Sequence, residues 1–383
     1  MIRERAKASS LRLLRVILLL CRNTSRNKGK YRLLIMQHHF IGDLIFTTSL
    51  IRPLHERLKN VTIDYFVNRV SSPIVQHNSL VNYVFIDNTK IHTIVSLRVL
   101  ATKLIKNLKN VVKAKANKYT HIIDCTGTLY SASLISMIAP SQVIGISSSI
   151  VFEEFYDYFK YFWDFGDKKI VYRYTSLLEY FGVFVNSPEY SICIESDKEA
   201  EASKLIDVDK TTVLIAPFAG WLNKEWPVSK ISEICRLFDK NSTQIFIAVS
   251  ADDRTRMHIL NEQLGDYKNI HFFVGYSLQF VIALLKNVDY FIGMDSALSH
   301  VADAYRKRGV IIFGGTRSEI CGPLNSNLRV IQSDIECRPK TNEIYCGDNT
   351  IAYKCPIKQK CMRLIDPQSV FEIINESTCE NNE

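Results

Sequence analysis

Short apolar runs alternate with stretches of helical period, and they do so in two successive series. In the first, Tyr31–Met36, Val61–Val67, Tyr83–Ile86, His121–Asp124 and Gln142–Ile146 read as buried strands. Between them lie helical stretches at 44–58, 71–78, 91–116 and 129–138. The second series has strands at 212–216, 244–249, 270–274, 290–293 and 310–313, with helices at 228–237, 254–264, 277–285 and 296–305. Strands too apolar to alternate in and out are covered on both faces, and helices between them supply the cover. The chain is therefore expected to be α/β, with two doubly wound parallel sheets and right-handed crossovers. Ligands in such folds sit beyond the carboxyl ends of the strands, here in a cleft between two facing halves.

The join is placed at a helix, 171–181, closed by Gly182 and Pro188. This divides the chain into a segment at 1–30, a first domain at 31–170, a linker at 171–190 and a second domain at 191–383. The aromatic stretch Phe152–Trp163 has no clean period and is expected to be irregular or a small helical cover.

Charge is concentrated at one end. Residues 1–30 hold nine Lys/Arg against one acid, whereas the whole chain is only +9. The body is thus nearly neutral, which argues against a nucleic-acid-binding domain. Leu11, Leu13, Leu14, Ile17, Leu18 and Cys21 recur at helical spacing among the basic residues. That pattern suits an interfacial helix on an anionic membrane surface. A signal peptide and a plain extension are the rival readings. The apolar run Val16–Leu20 is too short to span a bilayer.

Of ten cysteines, Cys21, Cys125, Cys193, Cys235 and Cys321 adjoin apolar runs and read as small hydrophobes. Cys337, Cys346, Cys355 and Cys361 fall in a loop-like stretch. Such a set can hold structural Zn or Fe, form two disulfides, or stay free.

Four loops at strand carboxyl ends carry polar groups. His38–Asp43 follows the first strand, and Asp43 reads as either a helix N-cap or a general base. Lys224 lies in Asn223–Pro227, where a lysine can neutralise a phosphate or simply be solvated. Ser250–Asp253 offers Asp252 to ribose hydroxyls or as a cap. Asp295, Ser296, Ala297 and Leu298 stand where a strand turns into a helix, with His300 following. The free N–H groups at such a helix start attract a diphosphate, which makes this turn the place for a nucleotide-sugar. No GxGxxG, P-loop, HExxH or GxSxG pattern occurs, so hydride transfer, Walker-type ATP hydrolysis and serine hydrolysis lose support.

The ordered set Ile41-Gly42-Asp43, Thr47-Thr48-Ser49-Leu50, Lys224-Glu225-Trp226-Pro227, Gly275-Tyr276-Ser277-Leu278, Gly293–His300 and Phe313-Gly314-Gly315-Thr316 resembles glycosyltransferase family 9. These are the ADP-heptose:lipopolysaccharide heptosyltransferases. The likeness runs over residues 31–370, with Ala297 and Gly315 standing where the family usually has Gly and Pro. It implies a GT-B fold with an acceptor-binding first domain and a nucleotide-sugar-binding second domain. It implies inverting, metal-independent transfer of a heptose-like sugar to a lipopolysaccharide core or related surface glycan. Asp43 matches the catalytic base, Lys224 the lysine on the donor diphosphate, Asp295 the acid on the donor sugar, and His300 the last position of that motif. The expected partners are ADP-heptose or a similar donor, a glycolipid acceptor and an anionic membrane surface, with no nucleic acid. The expected place is the cytoplasmic face of the cell membrane, with no catalytic cofactor and a structural metal at most, at the four cysteines. A protein (autotransporter-type) heptosyltransferase and a non-catalytic nucleotide-sugar binder are the alternatives.

Overall fold

Two six-stranded parallel sheets organise the chain. In this computed structural model the described residues are 2–22, 30–89, 97–265, 267–339, 343–347 and 354–379. The chain divides into two units, Met1–Cys193 and Ile194–Glu383.

The first unit contains β1 (Tyr31–Gln37), β2 (Val61–Asn68), β3 (Tyr83–Asp87), β4 (His121–Asp124), β5 (Gln142–Ser147) and β6 (Tyr158–Tyr161), ordered β3-β2-β1-β4-β5-β6. Its helices are α1 (Ile2–Cys21), α2 (Ile41–Thr47), α3 (Ile51–Arg57), α4 (Leu97–Lys106), α5 (Leu108–Ala116), α6 (Leu129–Ile138) and α7 (Ile170–Thr175). The strand order reverses between β1 and β4, so the loops after these two strands open beside each other. The turn after β4 requires Gly127: its φ is +60° and a Cβ would collide with the Ile146 carbonyl.

On one face of this sheet Leu34, Met36, Phe66, Phe85, Ile122 and Val143 pack against α1, α4, α5 and α6. Helix α1 contributes Leu11 and Leu18, both essentially without solvent exposure. Burying each stabilises the docking by roughly 1.5–3 kcal/mol. Arg15 of α1 and Arg22 just after it donate to Asp157 at 2.7 and 2.6 Å, and the exposed Arg12 donates to Glu154 at 2.7 Å. Asp157 is half-buried, which alone raises its pKa, but the two guanidiniums and the Val143 N–H hold it below the ordinary value.

The stretch expected as irregular, Phe152–Trp163, is instead a 3-10 turn at Ile150–Phe155 followed by edge strand β6. The helix expected over 44–58 is α2 and α3, separated by a 3-10 turn at Thr48–Leu50. Thr47, Thr48 and Ser49 each donate a hydroxyl to the carbonyl three residues back. Such back-bonding competes with the helix's own ladder and tightens it. The long helix expected over 91–116 is α4 and α5, and its start at 91–96 lies outside the described residues. It breaks at Asn107, whose amide donates to Asp87 and Tyr130. The stretch 171–181 lies inside the first unit, as most of α7 and a 3-10 turn.

The second unit contains β7 (Thr211–Ala216), β8 (Thr243–Val249), β9 (Ile270–Val274), β10 (Tyr290–Met294), β11 (Arg308–Phe313) and β12 (Leu328–Gln332), ordered β12-β11-β10-β7-β8-β9. Its helices are α8 (Ser196–Ser203), α9 (Val228–Leu237), α10 (Arg254–Leu264), α11 (Leu278–Asn287), α12 (Ala297–Ala304), α13 (Ser318–Cys321), α14 (Lys360–Leu364) and α15 (Pro367–Cys379). Ser277 caps α11, accepting from the Phe280 N–H. The reversal here falls between β7 and β10.

Among the described residues no helix is long and apolar enough to cross a membrane. Cys125, Cys235 and Cys321 are buried as expected, whereas Cys193 is half-buried and Cys21 exposed. Cys21 sits at the end of α1, on neither the Leu11 nor the Leu18 position that meets the core.

Candidate active site

In the first unit, the loop after β1 leads into α2 at the strand-order reversal. Phe40 is the N-cap residue and its side chain makes no cap bond. Asp43 therefore stands in the first turn rather than at the cap, which removes the capping account of this acid. Its Oδ1 accepts from the Tyr174 hydroxyl at 3.4 Å, and Gln37 Nε2 lies 3.5 Å from the same hydroxyl. Sequence reasoning did not find Tyr174, because α7 and α2 come together only in the folded unit.

His38, three residues before Ile41, is buried between Phe66 and Tyr130. Its Nδ1 lies 3.3 Å from Asp87 Oδ2. Burial depresses its pKa to about 4 despite the Asp87 carboxylate, so the ring is neutral at pH 7. Asp87 accepts from Asn107, from the Tyr130 hydroxyl and from the Thr89 N–H. The pair is a structural element beneath the loop that carries Asp43.

In the second unit, the loops after β7 and β10 meet because these strands are neighbours at the reversal. A 3-10 turn, Leu222–Lys224, carries Lys224 to the end of β10. Its Nζ lies 2.7 Å from Asp295 Oδ2, and both side chains are largely buried. Burial would raise the Asp295 pKa, but Lys224, then His300, pull it below the ordinary value. The ammonium also lies 5.2 Å from the ring centroids of both Trp221 and Tyr345. Aromatic faces stabilise a desolvated cation.

Ser296 is the N-cap residue of α12, with its hydroxyl not engaged in capping. Ser296, Ala297 and Leu298 are half-exposed, while Ser299 and His300 are buried. Ser299 donates to the Met294 carbonyl and closes the turn. The first N–H groups of such a helix have no partner within it. The structure thus brings Lys224, Asp295, the start of α12 and His300 to one place.

Asp252 lies exposed in the 3-10 turn after β8. Its neighbour Asp253 and Glu225 both accept from Arg256, and the Arg256 guanidinium stacks 4.3 Å from the Phe218 ring centroid. Glu225 also accepts from the Ala219 N–H at 3.0 Å. This network ties the loops after β7 and β8 together. Arg256 was not singled out from the sequence, where nothing distinguishes it from a solvated helix residue.

Cys337, Cys346, Cys355 and Cys361 all line one cavity of about 240 Å³, together with Asn223, Gly314 and Gly315. All four are free thiols, which sets aside the disulfide reading for them. Among the described residues no three His, Cys, Asp or Glu close to a spacing that holds a metal. The donor chemistry suits Zn or Fe, but the thiols surround the space rather than converge on a point. Burial pushes the Cys361 thiol up to about 11, and burial, then the neighbouring Cys355 and Cys337, raise that of Cys346. The segment folds back on the turn that carries Lys224. Gln359 donates to Asn223 at 3.1 Å, Cys346 N–H to the Gly315 carbonyl at 2.7 Å, and Thr316 pairs with Tyr345.

The family model of Glycosyltransferase family 9 (heptosyltransferase) matches residues 103–346. The chain belongs to glycosyltransferase family 9, and it is a glycosyltransferase. It is 23% identical over 303 residues to lipopolysaccharide heptosyltransferase 1 of Campylobacter coli, covering 75% of this chain and 85% of that one. To lipopolysaccharide heptosyltransferase 3 of Escherichia coli K12 it is 24% identical over 305 residues, covering 76% and 85%. Its fold is similar to that of E. coli ADP-heptose lps heptosyltransferase II, with a TM-score of 0.73 at 15% identity, over 92% of this chain and 100% of that one. The α/β fold of two parallel sheets is thus of the GT-B type expected from the sequence.

Proposed function

We propose that this family 9 enzyme transfers a heptose from ADP-heptose to a lipopolysaccharide core or a related surface glycan, with inversion and without a catalytic metal. The observation that carries the reading is the buried Lys224–Asp295 pair at the start of α12. A lysine ammonium has three N–H donors. One can keep Asp295 while the others take the donor diphosphate. The helix N–H groups at Ser296–Leu298 supply further positive potential. Together they stabilise the charge that develops on the leaving ADP, the work a divalent cation performs in other transferases. Asp295, held ionised, accepts from sugar hydroxyls and fixes the ring. On this reading Asp252, in the exposed turn after β8, accepts from the ribose hydroxyls.

On the acceptor side Asp43 takes the proton of the attacking hydroxyl as its oxygen bonds to the anomeric carbon. The bond from that carbon to the ADP oxygen breaks in the same displacement, and one displacement inverts the centre. Tyr174 orients the Asp43 carboxylate. The acceptor is a membrane glycolipid on this reading, so the enzyme works peripherally at the cytoplasmic face. Helix α1 meets the lipid there with Leu13, Val16, Ile17 and Leu20, which project away from the Leu11/Leu18 face.

The test of the reaction is Asp43→Asn. Turnover should fall by roughly a hundred- to ten-thousandfold while ADP and ADP-heptose affinity stay within a few-fold by calorimetry. Near wild-type turnover would remove Asp43 as the base; lost donor affinity would mean the site had been misread.

A further inference from the structure

Helices α4 and α5 pack on α6 by one face only, through Leu100, Val111 and Ala114. Three large apolar residues of these helices are nonetheless open to solvent: Ile105 is 71% exposed, Leu108 48% and Val112 61%. Ile105 lies at the end of α4, and Leu108 and Val112 stand one turn apart on α5. Residues 97–118 contain seven Lys/Arg and no acid. Lys106, Lys109 and Lys115, on the same two helices, are exposed as well. Helix α1 packs on α6 as well, in the same helical layer over the sheet. It too turns an apolar face outward, with Leu13 63% and Leu20 82% exposed. The α1 arginines Arg12, Arg15 and Arg22 are engaged by Glu154 and Asp157.

We propose that the outward face of α4 and α5 is a docking surface for an anionic lipid bilayer, adding its lysines to the apolar face that α1 turns outward. This deepens the reading of α1 as a membrane-contacting helix. Apolar side chains enter the headgroup boundary while the lysine stems run along them and the ammoniums reach lipid phosphates. The absence of any acid over 22 residues fits a negatively charged planar partner. A second copy of this chain would offer the same positive face and be repelled.

The experiment is co-sedimentation of the full chain with vesicles of phosphatidylcholine, with and without phosphatidylglycerol. The variants are Lys106→Gln/Lys109→Gln/Lys115→Gln, Ile105→Ser/Val112→Ser, and Leu13→Ser/Leu20→Ser on α1. The wild type should bind the anionic vesicles and not the neutral ones. The lysine triple variant should partition roughly a hundredfold less onto them. Its ADP affinity and its sedimentation as a free species should be unchanged, since none of these residues belongs to the transfer site. If the triple and Ile105/Val112 variants bind as the wild type does while the α1 variant does not, this inference fails and the α1 reading stands. If the α4–α5 variants instead dissociate an oligomer and leave vesicle binding intact, the face is a contact between copies and the inference is overturned. A wild type that ignores anionic vesicles overturns both.

Discussion

Replacing Lys224 by Met separates what the Lys224–Asp295 pair does for stability from the donor role proposed for it. The substitution keeps the stem's bulk beside Trp221 and Tyr345 and removes only the charge. Asp295 would remain with its side chain 4% exposed and its nearest cation gone. Breaking a buried pair by deleting one partner costs about 3 kcal/mol or more. For a unit of this size that is a fall in Tm of roughly 6–12 °C.

The pH dependence carries the sharper test. In the wild type Asp295 titrates below its unfolded value. It therefore adds stability above the unfolded pKa, and that stability is lost as pH falls through the folded one. In the variant, burial acts without Lys224 and drives the carboxyl the other way. Asp295 then destabilises at neutral pH, and the penalty shrinks as acid protonates it. Urea unfolding at pH 7 and pH 5 should show the wild-type/variant gap narrowing on acidification. Lys224→Met/Asp295→Asn should recover most of the lost stability, because neither charge is then left alone. It should not recover ADP affinity, which drops roughly ten- to a hundredfold with the lost charged hydrogen bond. A gap that is absent at pH 7, or one that widens in acid, would refute the reasoning.

Two further outcomes follow from the site's surroundings. His38 has a folded pKa of about 4 against an ordinary value near 6.5, so its contribution to stability is full above pH 6.5 and is lost between pH 6.5 and 4; it is worth about 3 kcal/mol across that window. His121, also lowered to about 4 by burial, acts in the same window, so His38→Gln should roughly halve the slope of stability against pH rather than abolish it. Elemental analysis of the purified chain should find Zn and Fe far below one equivalent, since the four thiols do not close on a point; about one metal per molecule, lost in Cys346→Ser/Cys355→Ser, would refute this.

What the residues alone determined was the architecture and the loops that matter. Each strand apart from edge strands β6 and β12 is an apolar run, and such runs must be buried on both faces, so alternation with helices dictates two parallel sheets. The loops at strand carboxyl ends follow from that, and Asp43, Lys224 and Asp295 each stand in one. Edge strand β6 escaped because its residues are only half-buried: Tyr158, Phe159, Lys160 and Tyr161 need pair with one neighbour only and show no period. The break at Asn107 escaped because its partners, Asp87 and Tyr130, are 20 and 23 residues away.

Tertiary structure alone decided which polar groups meet. Lys224 and Asp295 are 71 residues apart in sequence, and only the adjacency of β7 and β10 makes them partners. Tyr174 on Asp43 and Arg256 on Glu225 are likewise products of packing. Local spacing records which face of an element is apolar. It carries no record of which distant charge will be desolvated beside it, and that pairing sets the protonation state of Asp295.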